Sequence, residues 1–540
     1  MRHPGIALVL ALALLLGLSA CGGRAPSSEE QARRTLEEWS AGVEPVQADG
    51  TQTWALTSAA PAAGLAFAES GRIAGEPPRQ RPPNGEPYHD TFFENYGVNP
   101  FIATEDEQVS TFAMDVDTAS YTVARAYIQE GSMPPKDAIR VEEFINYFAQ
   151  SYPDSDGAFA LHLDGAHSAF GEENKHLLRV GIQSKHIGPE ERRDAVLTFV
   201  IDVSGSMGLD NRLGLVKRSL QMLTGQLRDE DEVGIVVYGS HARLVLEPTS
   251  DKDAILSAID GLTSAGSTNA EHGLLLGYET AAEAFQEGKI NRVILASDGV
   301  ANVGETGADA ILENVKGLAE AGITLTTLGV GMANYNDVLM EKLANHGDGS
   351  YFYLDTDDEA AQLFGPGLPG MLEIIASDAK VQVEFNPETV DRYRLIGYEN
   401  RALETEDFED DSVDAGEVGA GHSVTALYEL RLRDGASGKV ADVRVRHLDP
   451  RTGEPSETGA VITAEAMRMS FAQAAPRFRF TAAVAEFAEI LRESFWAEEG
   501  TLDAVYEHAT DALAAFETFD ATERDWDFIA MVENAMALDR

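Results

Sequence analysis

The stretch AVLTFVIDVSGSMG, residues 195–208, changes character abruptly in its middle. Its first half is apolar except for Thr198. A run this apolar is typical of a strand that is buried on both faces of a parallel sheet. The chain then presents one carboxylate and two hydroxyls at alternate positions of a glycine-containing loop, at Asp202, Ser204 and Ser206. Because parallel sheets bind ligands outside the carboxyl ends of their strands, we expect a binding site here.

The same pattern continues downstream. Three more apolar runs alternate with amphipathic helical patterns: EVGIVVY (232–238), NRVILAS (291–297) and ITLTTLGVG (323–331). ARLVLE (242–247) is typical of an edge strand. Alternating strands and helices predict a parallel sheet covered by helices on both faces. We therefore expect residues 195–375 to form an α/β domain with a doubly wound parallel sheet, called the A domain below.

Two more loops at the same predicted edge carry oxygen-bearing side chains. SAGSTNAEHG (264–273) places Thr268 after a glycine and before a helix, and ASDGVAN (296–302) places Asp298 just beyond a strand. With the first loop they offer two carboxylates and three hydroxyls, without histidine or cysteine. This set of hard oxygen ligands favours Mg²⁺, with Ca²⁺ or Mn²⁺ as alternatives, over zinc.

The motifs DVSGSM, GSTN and SDG resemble those of the von Willebrand factor type A family. They match the Asp-x-Ser-x-Ser, Thr and Asp elements of its metal-ion-dependent adhesion site. The resemblance implies that Ser204, Ser206 and Thr268 supply hydroxyl ligands, and that Asp202 and Asp298 act directly or through water. It also implies that the ion bridges to a protein ligand offering an Asp or Glu carboxylate. The alternative is a vestigial site without a metal.

The regions around the A domain resemble bacterial YfbK-like lipoproteins. The segments FAMDVDTASY and PPKDAIRVEEFINYF, within 112–148, look like the N-terminal region of that family. The later strand patterns and the C-terminal helices fit its C-terminal region. The resemblance covers most of the chain and is most specific in the A domain.

Strand-like alternation flanks the A domain. It occurs at 158–186 before it and at 379–386, 422–433 and 440–448 after it. We therefore expect the A domain to be inserted in a β-rich domain, and we interpret the acidic run at 403–417 as a solvated loop. The predicted regions are an N-terminal helical and strand region (91–150), the two parts of the β-rich domain (151–194 and 376–460) and a helical C-terminal region (461–540).

The N-terminus predicts export and lipid attachment. Residues 1–20 have a basic start and a short apolar run, which is typical of a signal peptide. They end in Leu-Ser-Ala before Cys21, the only cysteine, and this resembles a bacterial lipobox. We expect palmitate-type acyl chains on Cys21 to anchor the protein to a membrane, followed by a disordered tether over 21–90. Gly22 favours the outer membrane. The alternative is an ordinary signal peptide with an incidental cysteine.

The charge balance limits the choice of partners. The 540 residues include 41 Lys+Arg and 90 Asp+Glu, a formal net charge of -49. Nucleic acid needs clustered cations, so it is excluded as a partner. The same charge argues against binding of an anionic membrane through the protein surface.

These features predict a non-enzymatic, metal-dependent protein-binding lipoprotein of the bacterial cell envelope, acting in adhesion or as a scaffold. One alternative is an envelope scaffold that binds through its C-terminal helices and uses the metal structurally. Another is a metal-dependent hydrolase. The hydrolase lacks support because Ser206 is not in a G-x-S-x-G motif. We interpret His241 and His272, the histidines nearest to the site in sequence, as surface residues.

Overall fold

The structure, a computed structural model, describes residues 27–42, 93–114, 117–171, 175–188, 190–299, 308–331, 336–516 and 521–539. The predicted signal peptide and Cys21 lie outside these ranges, as does most of the predicted tether. Within the described ranges, none of the helices combines the length and apolar character needed to cross a bilayer.

Short helices and strands precede the A domain. In chain order they are α1 (Ser28–Gly42), β1 (Ile102–Ala103), β2 (Val109–Ala113), α2 (Ala119–Gln129), α3 (Val141–Asn146), β3 (Phe159–His167) and β4 (Lys175–Ser184). The last two cover the alternating pattern at 158–186, where we expected half-buried strands.

The A domain contains six strands and seven helices among its described residues. The strands are β5 (Ala195–Asp202), β6 (Glu232–Tyr238), β7 (Ala242–Thr249), β8 (Ile290–Ser297), β9 (Ile323–Val330) and β10 (Tyr351–Leu354). The helices are α4 (Arg212–Gln226), α5 (Lys252–Asp260), α6 (Ala270–Glu283), α7 (Ala308–Glu320), α8 (Asp337–His346), α9 (Asp357–Phe364) and α10 (Leu368–Leu372).

The A-domain sheet has the predicted doubly wound form. Its strand order is β10-β9-β8-β5-β6-β7, and only the edge strand β7 runs antiparallel to its neighbour. Every residue of β5 and of β8 is buried, because helices cover both faces. The chain leaves β5 toward β6 on one side and returns to β8 on the other, so the strand order reverses beside β5.

After the A domain the chain returns to strands and then to helices. The strands are β11 (Ile374–Phe385), β12 (Val390–Ile396), β13 (Ala402–Leu403), β14 (Gly416–Gly419), β15 (Ser423–Leu432), β16 (Lys439–Leu448) and β17 (Pro455–Thr463). The helices are α11 (Pro476–Leu491), α12 (Leu502–Ala514) and α13 (Glu523–Leu538).

Two sheets form the β-rich domain from both sides of the A domain. One has the order β1-β12-β15-β4-β3, and the other has the order β13-β2-β11-β16-β17 with β14 paired to β11. In the first sheet β4 pairs antiparallel with β15 from Lys175–Arg431 to Gln183–Ser423. The two sheets share one core, which includes Val180, Val381 and Tyr428. The A domain is therefore inserted in this β domain, as predicted.

The C-terminal helices form a separate core with the N-terminal region. Residues of α11–α13 share an apolar cluster with α2 and α3, in which Phe148 contacts Phe480 and Phe528 edge-on. The helical C-terminal unit is thus present, and its apolar faces are packed against the rest of the chain.

The predicted disorder of residues 21–90 is wrong for α1. This helix packs on α6 and α7 of the A domain. It buries Ala32, Leu36 and Trp39, and the Trp39 ring lies 6.2 Å from that of Tyr278. The three residues fall at spacings of four and three, which places them on one helical face. The sequence around these three residues is mostly polar, so its composition predicted disorder and the short apolar face was missed.

Candidate metal centre

The two predicted carboxylates lie at one edge of the A-domain sheet. Asp202 is the last residue of β5, and Asp298 directly follows β8. The two strands are parallel neighbours, so their carboxyl ends meet. The order of strands reverses at this point, which is where doubly wound sheets bind ligands.

The loop after β5 brings its side-chain oxygens together. The backbone N–H of Ser204 donates to Oδ1 of Asp202 at 2.7 Å. The hydroxyl oxygens of Ser204 and Ser206 lie 3.0 Å apart. The chain achieves this because it enters a 3₁₀ turn at Gly205, directly after Ser204. Alternate residues therefore converge instead of pointing to opposite sides.

Backbone hydrogen bonds hold the Thr268 loop against this turn. The N–H of Ala265 donates to the carbonyl of Val203 at 2.6 Å, and the N–H of Gly205 donates to the carbonyl of Gly266 at 3.0 Å. Thr268 lies two residues beyond Gly266 and is half-buried. All five predicted ligand residues thus come from loops at the same edge of the sheet.

Burial makes the two carboxylates electrostatically costly. Both Asp202 and Asp298 are fully buried, at 0% exposure. Burial raises the pKa of Asp202 to about 6, and the negative charge of Asp298 adds to the increase. The hydroxyl of Ser297 donates to Oδ2 of Asp202 at 3.2 Å, which offsets part of the cost. Two buried carboxylates near each other favour a neighbouring cation.

The available oxygens fit a divalent ion. Oδ1 of Asp298 is buried and has no hydrogen-bond partner in the described part of the chain. A buried acceptor without a partner is rare in proteins, and an ion would satisfy it. Carboxylates and hydroxyls are the ligands that Mg²⁺, Ca²⁺ and Mn²⁺ prefer. The residues that would hold the ion are Asp202, Ser204, Ser206, Thr268 and Asp298.

A buried arginine at this site was not expected from the sequence. Nη1 of Arg212 donates to Oδ2 of Asp298 at 2.8 Å, and the side chains are 3% and 0% exposed. Arg212 is the first residue of α4. A cation in the first turn opposes the helix dipole. This unfavourable position is the only signal in the sequence that Arg212 has a structural role, and it does not identify Asp298 as the partner.

A second acidic cluster lies elsewhere in the molecule. Carboxylate oxygens of Asp378, Asp414 and Glu417 lie within 4.8 Å of one another. Lys316 on α7 pairs with Asp414 at 3.1 Å. Burial raises the pKa of Glu417 well above its usual range. The end of the acidic run at 403–417 is therefore partly buried, which corrects its interpretation as a solvated loop.

Comparison with known families agrees with this architecture. Residues 197–365 match the family model described as von Willebrand factor type A domain. The chain contains a von Willebrand factor type A domain. Residues 87–179 match the model described as von Willebrand factor, and residues 370–538 match the model described as "Uncharacterized protein YfbK, C-terminal". The resemblance inferred from the motifs is thereby confirmed.

Individual relatives match parts of the chain. The Escherichia coli (strain K12) protein described as "Uncharacterized protein YfbK" is 42% identical over 351 residues, which is 63% of this chain and 61% of that protein. Human inter-alpha-trypsin inhibitor heavy chain H3 is 29% identical over 35% of this chain and 22% of its own length. The chain therefore spans less than two thirds of the length of either relative. A solved von Willebrand factor type A structure from Catenulispora acidiphila is 15% identical, with a TM-score of 0.39 over 72% of this chain and 88% of that one.

Proposed function

We propose that this protein is a lipid-anchored, divalent-metal-dependent protein-binding module of the bacterial cell envelope, acting in adhesion or as a scaffold and not as an enzyme. The observation that carries the proposal is the buried pair Asp202 and Asp298 beside converging hydroxyls. One oxygen of Asp298 has no hydrogen-bond partner among the described residues. A divalent ion would satisfy that oxygen and offset the negative charge that remains after Arg212 pairs with Asp298.

The ion would supply a Lewis-acidic position to which an outside carboxylate can bind. Asp202 and Asp298 would hold the ion at the sheet edge, and the hydroxyls of Ser204, Ser206 and Thr268 would supply the remaining protein ligands. Hydroxyls are neutral ligands, so the ion's charge is not overcompensated by the protein. The partner would therefore present an Asp or Glu side chain, and we favour Mg²⁺ over Ca²⁺ and Mn²⁺ as the resident ion.

Isothermal titration of the chain without its signal peptide tests the metal site. We expect saturable binding of Mg²⁺ or Mn²⁺ that is lost in Asp202→Ala and in Ser204→Ala. The fold should survive both changes, since each lies where a strand passes into a loop. Asp229→Ala is the matched control, because Asp229 is an exposed acid next to the opposite end of the sheet. Equal ion binding by Asp202→Ala and the control would contradict the proposal.

The charge of the protein restricts the surface around the partner's carboxylate. Coordination acts at contact, whereas the net charge of -49 acts over a Debye length, about 8 Å at physiological salt. The partner's acid should therefore lie in a neutral or basic surface. Association would be fast at low salt and slower as salt screens the attraction.

Lipid attachment at Cys21 rests on the lipobox-like sequence. Changing Cys21 to Ser should move the protein from the membrane fraction to the soluble fraction. Continued sedimentation of this variant with membranes would place the anchor elsewhere. We expect the anchored protein at the outer membrane, because Gly22 and not Asp follows the cysteine.

A scaffold that binds through the C-terminal helices has less support. The apolar faces of α11–α13 pack with α2 and α3 in one core, so they are used within the chain. The metal site, in contrast, lies at the edge of a sheet where loops meet solvent. We therefore propose that the partner binds at the metal site.

A further inference from the structure

Arg212 is held at the metal site by three separate parts of the A domain. It begins α4, and the two residues before it, Asp210 and Asn211, have φ angles of 46° and 59°. Among residues with a side chain, asparagine and aspartate adopt this left-handed backbone most readily. The turn carries the chain so that the arginine side chain points inward, to 3% exposure.

Gly331, just after β9, makes room for the guanidinium. A Cβ atom on this residue would lie 2.2 Å from Nε of Arg212. Gly331 also has a φ of +77°, which a larger residue rarely adopts. A side chain at this position is therefore incompatible with the observed arginine. The absence of a side chain at Gly331 therefore leaves the space that the guanidinium of Arg212 fills.

The ion pair orients Asp298. Oδ2 accepts from Arg212 at 2.8 Å, and Oδ1 is the atom left without a hydrogen-bond partner among the described residues. A charge-assisted hydrogen bond of this kind restricts rotation of a carboxylate. With Oδ2 engaged, Oδ1 is the oxygen available to an ion.

We propose that Arg212 is a positioning residue that also makes the loaded site selective for an anionic ligand. The inference rests on the proposed metal site. Two carboxylates balance a divalent ion, and Arg212 adds one positive charge. Asp210 lies 3.8 Å from Nη2 of Arg212, but its side chain is 87% exposed, so solvent screens its charge. The buried groups of the loaded site therefore keep a net charge of about +1 by their formal charges. The excess weakens ion binding and strengthens the attraction for an outside carboxylate. A ligand that offers a neutral amide instead of a carboxylate would be attracted far less strongly.

The test separates charge from hydrogen bonding. Arg212→Gln keeps an N–H donor for Asp298 and removes the charge, whereas Arg212→Lys keeps the charge. Arg218→Gln is the matched control, because Arg218 is on the same helix, pairs with Asp357 and is 40% exposed. Each full chain without its signal peptide is titrated with Mn²⁺, with and without acetate as the carboxylate probe and acetamide as its neutral counterpart.

We expect acetate, and not acetamide, to tighten Mn²⁺ binding by the unsubstituted protein. In Arg212→Gln, Mn²⁺ alone should bind about three- to tenfold more tightly, since a nearby like charge is gone. The factor by which acetate tightens Mn²⁺ binding, called the acetate effect, should be at least threefold smaller in this variant. In Arg212→Lys and Arg218→Gln it should stay within twofold of its value in the unsubstituted protein. Thermal unfolding without metal shows whether each variant is folded.

Two results would overturn the proposal. One is weaker Mn²⁺ binding by folded Arg212→Gln, and the other is an acetate effect equal to that of the unsubstituted protein. If Arg212→Gln does not fold, Arg212→Met provides the neutral variant and the same comparison decides. Absence of Mn²⁺ binding by the unsubstituted protein is a different result, which contradicts the metal site itself.

Discussion

The position of the loop that carries Thr268, beside the turn after β5, depends on a glycine. A Cβ on Gly205 would lie 3.4 Å from the carbonyl oxygen of Gly266, at the close limit of ordinary contact. Gly266 itself has a φ of +89°, and its Cβ would lie 2.6 Å from Oγ of Ser240. The loop that carries Thr268 therefore depends above all on the absence of a side chain at Gly266.

Gly266→Ala should weaken ion binding and destabilise the A domain by about 1–2 kcal/mol, the usual cost of left-handed backbone for an L-residue. Calorimetric ion titration and chemical denaturation measure the two effects. Gly225→Ala is the control, because Gly225 lies in α4 and a Cβ there would have no neighbouring atom within 4 Å. Alanine favours helix there by up to about 1 kcal/mol. Unaltered ion affinity in Gly266→Ala would show that the loop's position is not required.

Glu486 on α11 makes stability depend on pH. Burial and the charges of Glu489 and Glu429 raise its pKa from 4.5 to about 7. Between these values the folded state retains a proton that the unfolded chain releases, so this group's contribution to stability is present below pH 4.5 and is lost as the pH rises through 7.

Glu486→Gln should therefore stabilise the protein at pH 8, by about 3 kcal/mol at most, and have little effect near pH 4.5. Urea denaturation at the two pH values measures the difference. Glu498→Gln serves as the control, because Glu498 is exposed. An equal change in unfolding free energy at both pH values would mean that the carboxyl is not perturbed.

The oxygen-bearing residues of the site were predictable, whereas their arginine was not. Asp202, Ser204 and Ser206 follow an apolar strand at alternate positions, and that local pattern is enough to group them. The role of Arg212 depends on Gly331, more than a hundred residues away in the chain, and on the direction of α4. Such an arrangement exists only after the sheet has formed.

At the level of single elements, α1 is the feature with the clearest consequence. Its buried face attaches it to α6 and α7, and Trp39 is 2% exposed. If Cys21 carries lipid as proposed, only residues 22–26 separate the anchor from the first described residue, Ser27. The A domain would then be held near the membrane surface, in contrast to the long tether that we expected.

Trp39→Ala should detach α1 locally, because removing a buried Trp side chain costs about 3–5 kcal/mol. Hydrogen exchange of residues 28–42 should accelerate, while β5 and β8 stay protected. Glu37→Ala, at an exposed position of the same helix, should leave the exchange unchanged. Unaltered protection of 28–42 in Trp39→Ala would mean that the apolar face does not hold the helix.

Strand β12 shows why some elements escape prediction. Its sequence, VDRYRLI, places charged residues where a buried strand would have apolar ones. Arg394 is 2% exposed, and it pairs with Glu429 at 2.8 Å and Glu489 at 3.3 Å. Buried charges need partners, and here they come from β15 and α11. Those partners cannot be read from the strand itself.

At the level of the whole molecule, the β domain depends on chain segments from both sides of the A domain. β4 lies between β15 and β3, and β2 lies between β13 and β11. Strand patterns on both flanks made the insertion predictable. The assignment of strands to two sheets was not, because it depends on which apolar faces meet.

A fragment of residues 376–460 should therefore fail to fold as a monomer. It would expose the edges of β15 and β11 that β4 and β2 cover, and such unpaired edges promote aggregation. Circular dichroism and size-exclusion chromatography of this fragment, beside the chain without residues 1–20, measure the outcome. A monomeric fragment with a cooperative unfolding transition would contradict the two-sided assembly.

A divalent ion at the carboxyl edge of the A-domain sheet is the feature on which the proposed function depends. Anomalous diffraction from crystals of the protein without residues 1–20, grown with Mn²⁺, detects such an ion directly. We expect a peak roughly 2–2.5 Å from the hydroxyl oxygens of Ser204 and Ser206, on the side of Oδ1 of Asp298. A peak confined to the cluster of Asp378, Asp414 and Glu417, or no peak at the sheet edge under saturating Mn²⁺, would contradict the proposed site.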